Sequence, residues 1–440
     1  DVYSFFIFRF IGGIGIGIST IAAPLFIAEI SPASDRGKLT GLFQFNIVLG
    51  ILMAFLSNFI ILELTPEALA WRFMLGIQVI PCAIYTFLCC YLPESPRWLI
   101  VEKNDLVKGK HVFGLINPSM TESQLDNLVN EVKESAKAEI QSKTLKSKFF
   151  CRKLLYPILF AFLIAAFNQL SGINIILYFA PRLLALAGME DPLAASISLG
   201  ITNFIATFIG IRLIDKLGRK TLLIIGCIGY IISLSVCTYS FFHYSELKVV
   251  SSAIDTVNSA NHLIDIQKGT AYFTIEDAKN ANKAYETAKE NLYKVTTASN
   301  YIVDSESLVG NDIEKVKTVA LDIKAQATNN LGSVSSIVLV CMITFIASHA
   351  IGSGTIIWVF ISEIFPNSVR AKGQSLGSFT HWIFAAGLTL FFPIAISSFD
   401  AGFIFGFFAF MMVLQLIWCV FMMKETKGKT LETIAREMQI

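Results

Sequence analysis

Nine runs of about twenty residues with almost no charge dominate this 440-residue chain, and a run of that length matches the roughly 30 Å apolar core of a bilayer. They lie near residues 2–28, 39–62, 72–92, 154–180, 194–213, 220–242, 334–361, 372–397 and 401–423. A backbone inside hydrocarbon must satisfy its own hydrogen bonds. The runs are also too long and too uniformly apolar for barrel strands, so each is read as a helix. With 54% hydrophobic and only 15% charged residues, the length does not read as two or three water-soluble domains. The expected fold class is an all-α membrane protein of many passes.

The formal net charge of +2 says little, because placement along the chain sets topology. Eleven Lys or Arg residues fall between Pro93 and Lys153, and DKLGRK (215–220), EISPASDRGK (29–38) and EIFPNSVRAK (363–372) are basic as well. These segments are expected to face the cytoplasm. Segments 58–71, 181–193 and 243–333 then fall on the opposite side, and Arg182 is the only Lys or Arg in the first two. The eight cysteines lie in or beside the spans without zinc-site spacing, and are read as small packing residues.

The pattern E-I-x-P-x-x-x-R-x-K occurs at Glu29–Lys38 and at Glu363–Lys372, each time between two spans. PESPR (93–97) and KETKGK (424–429) echo one another 65 and 62 residues after their respective glutamates. The chain is therefore expected to hold two related halves, of which the second shows six spans and the first three. Parallel repeats of six helices would place about 95 residues and three more helices ahead of Asp1.

Polar side chains within a span either bond to neighbouring helices or line a wet cavity. Asn168, Gln169 and Asn174 form such a cluster, and their spacing with Tyr178 predicts one shared helix face, loosened at Gly172. Amides both donate and accept, which suits a neutral polyol. Gly12, Gly13, Gly15 and Gly17 imitate a phosphate loop but lie inside an apolar helix, where they predict close helix packing. Arg9 sits in the first span and is expected to need an anion.

RFIGGIGIG (9–17), AEISPASDRGK (28–38), PESPRWL (93–99), QLSGINIILYFAP (169–181), DKLGRK (215–220), SEIFPNSVRAKG (362–373) and ETKGKTLE (425–432) together resemble the sugar porter branch of the major facilitator superfamily. The resemblance implies two helical bundles that rock about a central sugar site, with this chain holding helices four to twelve. It divides the chain into the rest of the N-terminal bundle (1–92), a cytoplasmic helical loop (93–153), C-terminal bundle segments (154–242 and 334–423), an exterior insert (243–333) and a cytoplasmic tail (424–440). It assigns sugar contact to Gln44, Asn168, Gln169, Asn174, Tyr178, Asn203, Gly354, Trp358, His381 and Trp382.

It also implies a salt-bridge network in which Glu29, Arg36, Glu94 and Arg97 on one bundle meet Asp215, Arg219, Glu363, Arg370 and Glu425 on the other. Arg9 is the candidate for proton coupling. This chain departs from the family at G-T-I-I-W (354–358), where Thr355 replaces a proline, and at His381, where relatives carry Gln or Asn.

The expected activity is monosaccharide transport by alternating access, with proton symport first and facilitated diffusion or a sugar sensor as alternatives. The expected partners are a sugar, a proton and the lipid bilayer, with no nucleic acid and no cofactor. A monomer in the plasma membrane, such as a bacterial inner membrane, is expected. The polar stretch 243–333 matches no family motif. Its run IEDAKNANKAYETAKENLYKV (275–295) predicts a small helical hairpin, with a return hinge at Gly332–Ser336.

Overall fold

The computed structural model describes residues 2–31, 36–118, 120–143, 149–268, 275–299, 301, 308, 312–365 and 369–427. Among the described residues, nine helical stretches are long and apolar enough to cross a membrane, close to the boundaries read from the sequence. The first two are α1 (Val2–Ile30) and α2 (Arg36–Leu64). The third is broken into α3 (Glu67–Gly76) and α4 (Val79–Cys89). Pro81 has no N–H to give the Ile77 carbonyl, which instead accepts from Ile80 N at 3.2 Å.

Three short helices follow, α5 (Pro96–Val101), α6 (Leu106–Ile116) and α7 (Glu122–Lys143). Ser95 and Asp105 cap α5 and α6 by accepting from Trp98 N and Lys108 N. Ile100, Phe113, Leu125 and Val129 give the three helices their own small core. Lys110 ties α6 to α7 through Asp126 at 2.6 Å and Glu122 at 3.6 Å.

The second half begins with a segmented span, α8 (Leu155–Leu170), α9 (Ile173–Tyr178) and α10 (Ala180–Leu186). Two long helices, α11 (Pro192–Leu217) and α12 (Arg219–His243), come next. Gly218 joins them at φ +88°, a conformation that favours glycine. After the insert come α16 (Val334–Ile351), α17 (Ser353–Ile364), α18 (Arg370–Ser398) and α19 (Ala401–Phe421). Backbones approach closely where α12 crosses the α16–α17 junction. A Cβ on Gly226 would lie 3.0 Å from Gly352 Cα, the small-residue packing common between membrane helices.

That packing was expected in α1, at Gly12, Gly13, Gly15 and Gly17. Instead, a Cβ at any of these four would meet no described atom within 4 Å. The first three spans are almost wholly exposed, whereas those of the second half enclose most of the core.

The insert is not a hairpin. Among the described residues it forms three helices, α13 (Ser245–Gln267), α14 (Ile275–Ala298) and α15 (Ile313–Leu331). Their buried face runs through Leu247, Val250, Tyr285, Leu292, Val316 and Ile323, and is continuous with the core of the span bundle. Lys248 pairs with Asp400 at 3.2 Å and Arg182 with Asp255 at 3.5 Å, fastening α13 to the starts of α19 and α10. Gly332, at φ +53°, makes the return turn where the sequence predicts it.

The α8–α9 break depends on Gly172, whose φ of +86° lies in the left-handed region and whose Cβ would sit 2.6 Å from the Phe408 ring. Gly172→Ala should lower the apparent Tm of the detergent-purified protein by several degrees, corresponding to roughly 1–2 kcal/mol of backbone strain plus the clash. Gly387→Ala, in open space within α18, should leave it unchanged by differential scanning fluorimetry.

Candidate functional site

Two spans of the second half are interrupted, and each interruption has its own hydrogen-bonding device. At Gly172 the Ser171 hydroxyl donates to Asn168 O at 2.6 Å and accepts from Ile173 N at 3.3 Å. Between α16 and α17, Gly352 adopts φ −90°, ψ −110°. There the Thr355 hydroxyl donates to Ala350 O at 2.5 Å. Thr355 therefore satisfies a carbonyl that the broken helix leaves without its usual partner.

The amide cluster spans the first break. Gln169 Nε2 donates to Asn168 Oδ1 at 2.9 Å, and Gln169 Oε1 accepts from Asn174 Nδ2 at 2.8 Å. His381 of α18 faces the same amide, its Nδ1 and Nε2 lying 3.1 and 3.2 Å from Gln169 Nε2. An amide N–H over an imidazole needs the electron-rich neutral ring. The Trp358 ring stands 5.3 Å from the His381 ring, and Gln374 Nε2 holds the Trp358 carbonyl at 3.1 Å. Gly354 lies one turn before Trp358, with its Cβ direction 2.9 Å from His349 Nε2.

Asn168, Gln169, Asn174, Gly354, Trp358 and His381 thus share one region. Tyr178 does not join it. The shared-face spacing assumes an unbroken helix, but Gly172 reorients α9, so Asn174 still reaches Gln169 while Tyr178 is 58% exposed. Trp382 points outward from α18 and is 38% exposed. Gln44 and Asn203 flank the contact between α2 and α11, next to the Phe45–Phe204 ring pair at 5.0 Å. Asn203 is buried, and Gln44 Oε1 is buried without a hydrogen-bond partner. Arg9 is exposed on α1 and lies over the Phe5 ring at 5.9 Å, not buried against an anion as the sequence suggests.

Among the buried polar residues that escaped sequence reasoning are Ser171, Tyr230, Ser353 and Gln415. Tyr230 is fully buried on α12, and its hydroxyl lies 2.6 Å from His349 Nδ1. Gln415 Nε2 donates to Ser353 Oγ at 3.3 Å. Their signal was available: a lone amide or phenol inside an apolar run.

A second polar site closes the other end of the bundle. Arg219 grips Glu363 with Nη2 to Oε1 at 2.7 Å and Nε to Oε2 at 3.2 Å, and Thr426 Oγ1 donates to Glu363 Oε2 at 2.6 Å. Glu425 Oε1 accepts from Arg219 N, Thr426 N and Lys427 N, and its Oε2 accepts from Lys220 N. The carboxylate thereby caps the α12 N-terminus. Burial works against its ionisation, but these four backbone donors outweigh that and hold its pKa below the ordinary value.

Among the described residues, three members of the expected network meet within the second half. Arg219, Glu363 and Glu425 all belong to the second half, because a helix N-terminus beside the chain that leaves α19 supplies the donors. Arg370 lies in electrostatic reach of Glu363, with its Nε buried without a hydrogen-bond partner. In the first half Glu94 pairs with Lys103 at 3.1 Å, and Arg97 is exposed at the start of α5. The side chains of Glu29, Arg36 and Asp215 lie outside the described residues.

Fold and site together define a many-pass helical membrane protein with an uncharged, hydrogen-bonding site between interrupted helices. A family model described as "Sugar (and other) transporter" matches residues 1–257 and 317–438. The chain belongs to this family, one of transporters, not enzymes. Curated relatives include the glucose transporter GlcP of Staphylococcus epidermidis, 25% identical over 98% of this chain and 76% of its own length. The D-xylose-proton symporter of Escherichia coli is 26% identical over 98% and 71%. The human proton myo-inositol cotransporter is 29% identical over 97% and 66%. The inward-open xylose transporter XylE from E. coli superposes with a TM-score of 0.64 at 25% identity, covering 98% of this chain and 72% of that one. XylE with a bound bromodeoxyglucose, described as a major facilitator superfamily symporter, gives 0.62 at 23%. The fold is the one that superfamily shares.

Because the folded pKa of Glu425 lies below its unfolded value, its stabilisation is complete above about pH 4.3 and is lost as pH falls through the lower, folded value. Glu425→Gln should therefore lower the Tm at pH 7, and the gap to wild type should close on acidification below pH ~4. A gap that does not change with pH would contradict the capping role.

Proposed function

We propose that this chain carries an uncharged sugar across the membrane by alternating access, binding it at the Asn168–Gln169–Asn174–His381 cluster beside Trp358. The observation that carries this reading is the composition of the cluster. Each polar group can donate or accept and none needs a charge, while the Trp358 ring offers an apolar face for a pyranose. Relatives named for glucose, xylose and myo-inositol support a monosaccharide-sized polyol.

Proton symport is the first reading, since two of those relatives are named for proton coupling, and facilitated diffusion is the alternative. We place the chain in the plasma membrane as a monomer. The Arg219–Glu363 end and α5–α7 then face the cytoplasm and the insert 243–333 faces outward, as the basic segments suggest. On this reading residues 1–92 and the pair 154–242 and 334–423 belong to the two bundles that move against each other, and 424–440 form a cytoplasmic tail.

Counterflow of labelled glucose, xylose, galactose and myo-inositol into proteoliposomes of the full-length protein tests the reading. At least one substrate should exchange saturably, and Gln169→Ala should cut that exchange by about tenfold or more, as expected for loss of neutral hydrogen bonds in a desolvated site. No exchange of any sugar would overturn it. Uptake that responds to an imposed pH gradient and collapses with a protonophore supports symport; uptake indifferent to both leaves facilitated diffusion.

A further inference from the structure

The last part of the segmented span hangs on a short link. α9 is bounded by Gly172, in the left-handed region, and by Phe179 at φ −108°, ψ 18°, which ends α9 and opens α10. Two interruptions so close together leave α10 without a rigid continuation of α8. Its firm contacts lie with the insert.

In the first turn of α10, Arg182 pairs with Asp255 of α13 at 3.5 Å. Just past its end, Gly188 adopts φ +78° and brings the backbone against the end of α15, where a Cβ would lie 2.7 Å from Leu331 Cδ1 and 3.1 Å from Ser335 Oγ. Between these points Leu183, Leu184 and Leu186 are buried in the same cluster as Leu247, Val250 and Leu331. A partly exposed ion pair adds little by itself, whereas parting the buried leucines would expose apolar surface and forfeit its packing. α10 and the insert therefore hold together.

The insert in turn is anchored to the spans. α13 starts directly after α12, Lys248 in its first turn pairs with Asp400 at the start of α19, and the turn at Gly332 leads α15 into α16. Asn330 Nδ2 donates to the Tyr301 hydroxyl at 3.0 Å, tying α15 to the chain that follows α14. Residues 258–316, much of the insert, lie outside the match to the family model.

We infer that the insert is a brace: it holds α10 on the ends of α12, α16 and α19, and leaves α9, the link that carries Asn174, as the part of this span that bends. Asn174 Nδ2 reaches Gln169 Oε1 at 2.8 Å across the Gly172 break, so the position of α10 sets how far α9 can carry that amide. Arg182, Asp255, Gly188 and Leu331 act as positioning residues. The effect on the site rests on the sugar-binding reading above, whereas the brace is measurable without any sugar.

Amide hydrogen exchange, read by mass spectrometry on the purified full-length protein, tests the brace itself. Leu331→Ala should speed amide exchange across 180–186 by about tenfold or more and leave α11 as in wild type, because the lost buried contact makes local opening easier. Arg182→Gln leaves the buried leucines in place and guards against a misfolded Ala variant; it should speed the same amides by about twofold, as a partly exposed pair allows. Leu331→Ala should also weaken binding of the tightest-binding sugar by about fivefold, since only molecules with α10 in place bind it. In Arg182→Cys/Asp255→Cys, with the native cysteines replaced, a bifunctional thiol reagent cleavable by reductant should bridge the two helices. Counterflow of the bridged protein should stay within about twofold of the cleaved sample, because α10 and α13 move as one body. Added to Leu331→Ala, the same bridge should restore slow amide exchange across 180–186. Amide exchange as in wild type in both single variants, or counterflow stopped by the bridge and recovered on cleavage, would overturn the inference. Failure of every sugar to bind wild type, with the amide results as expected, would instead overturn the reading of the site and leave the brace standing.

Discussion

A polypeptide inside a bilayer may leave its helical hydrogen bonds only where something else takes their place. Two spans of the second half do so, at Gly172 and at Gly352, and much of that half is arranged around the requirement. Ser171 and Thr355 satisfy backbone groups at the two breaks. The Tyr230 hydroxyl meets His349, at the end of α16, at 2.6 Å. The groups that repair the breaks thus also bring amides and imidazoles from four helices together. A site that binds polar solutes and a helix that can bend arise from the same local defect.

The distribution of charge complements this. Among the described residues, the central cluster holds no Asp, Glu, Lys or Arg, and the ion pairs of the second half lie at its two ends, where solvation or helix termini stabilise them. At one end Glu425 and Glu363 bind the start of α12; at the other, Arg182–Asp255 and Lys248–Asp400 fasten the insert. Both fastenings lie within the second half. That half therefore holds together by its own contacts, and among the described residues the first half reaches it through α2 against α11 and, to a smaller extent, α1 against α18.

The sequence revealed the spans, the repeat and the amide cluster because each is written in local pattern. Apolar length marks a span, and Asn168, Gln169 and Asn174 stand out against it. What it did not reveal depends on geometry that pattern cannot carry. Spacing along a helix placed Tyr178 with Gln169, but one left-handed residue between them changed the direction of the chain. Sign alternation suggested ion pairs between bundles. Where Glu425 actually binds is decided by backbone N–H groups, which have no letter in a sequence. The insert was read from its one strongly helical run. Its other two helices are held by a buried face shared with the spans, which a composition of Lys, Glu and Ala conceals.

The central claim is that the break at Gly172 lines a water-reached pocket that opens to each side in turn. The most direct measurement is thiol labelling of Asn174→Cys in the full-length protein with its native cysteines replaced, using a membrane-impermeant maleimide applied to either face. The account predicts labelling from both sides and protection by a transported sugar. Labelling from neither side, or only by a lipid-soluble reagent and without protection, would contradict it.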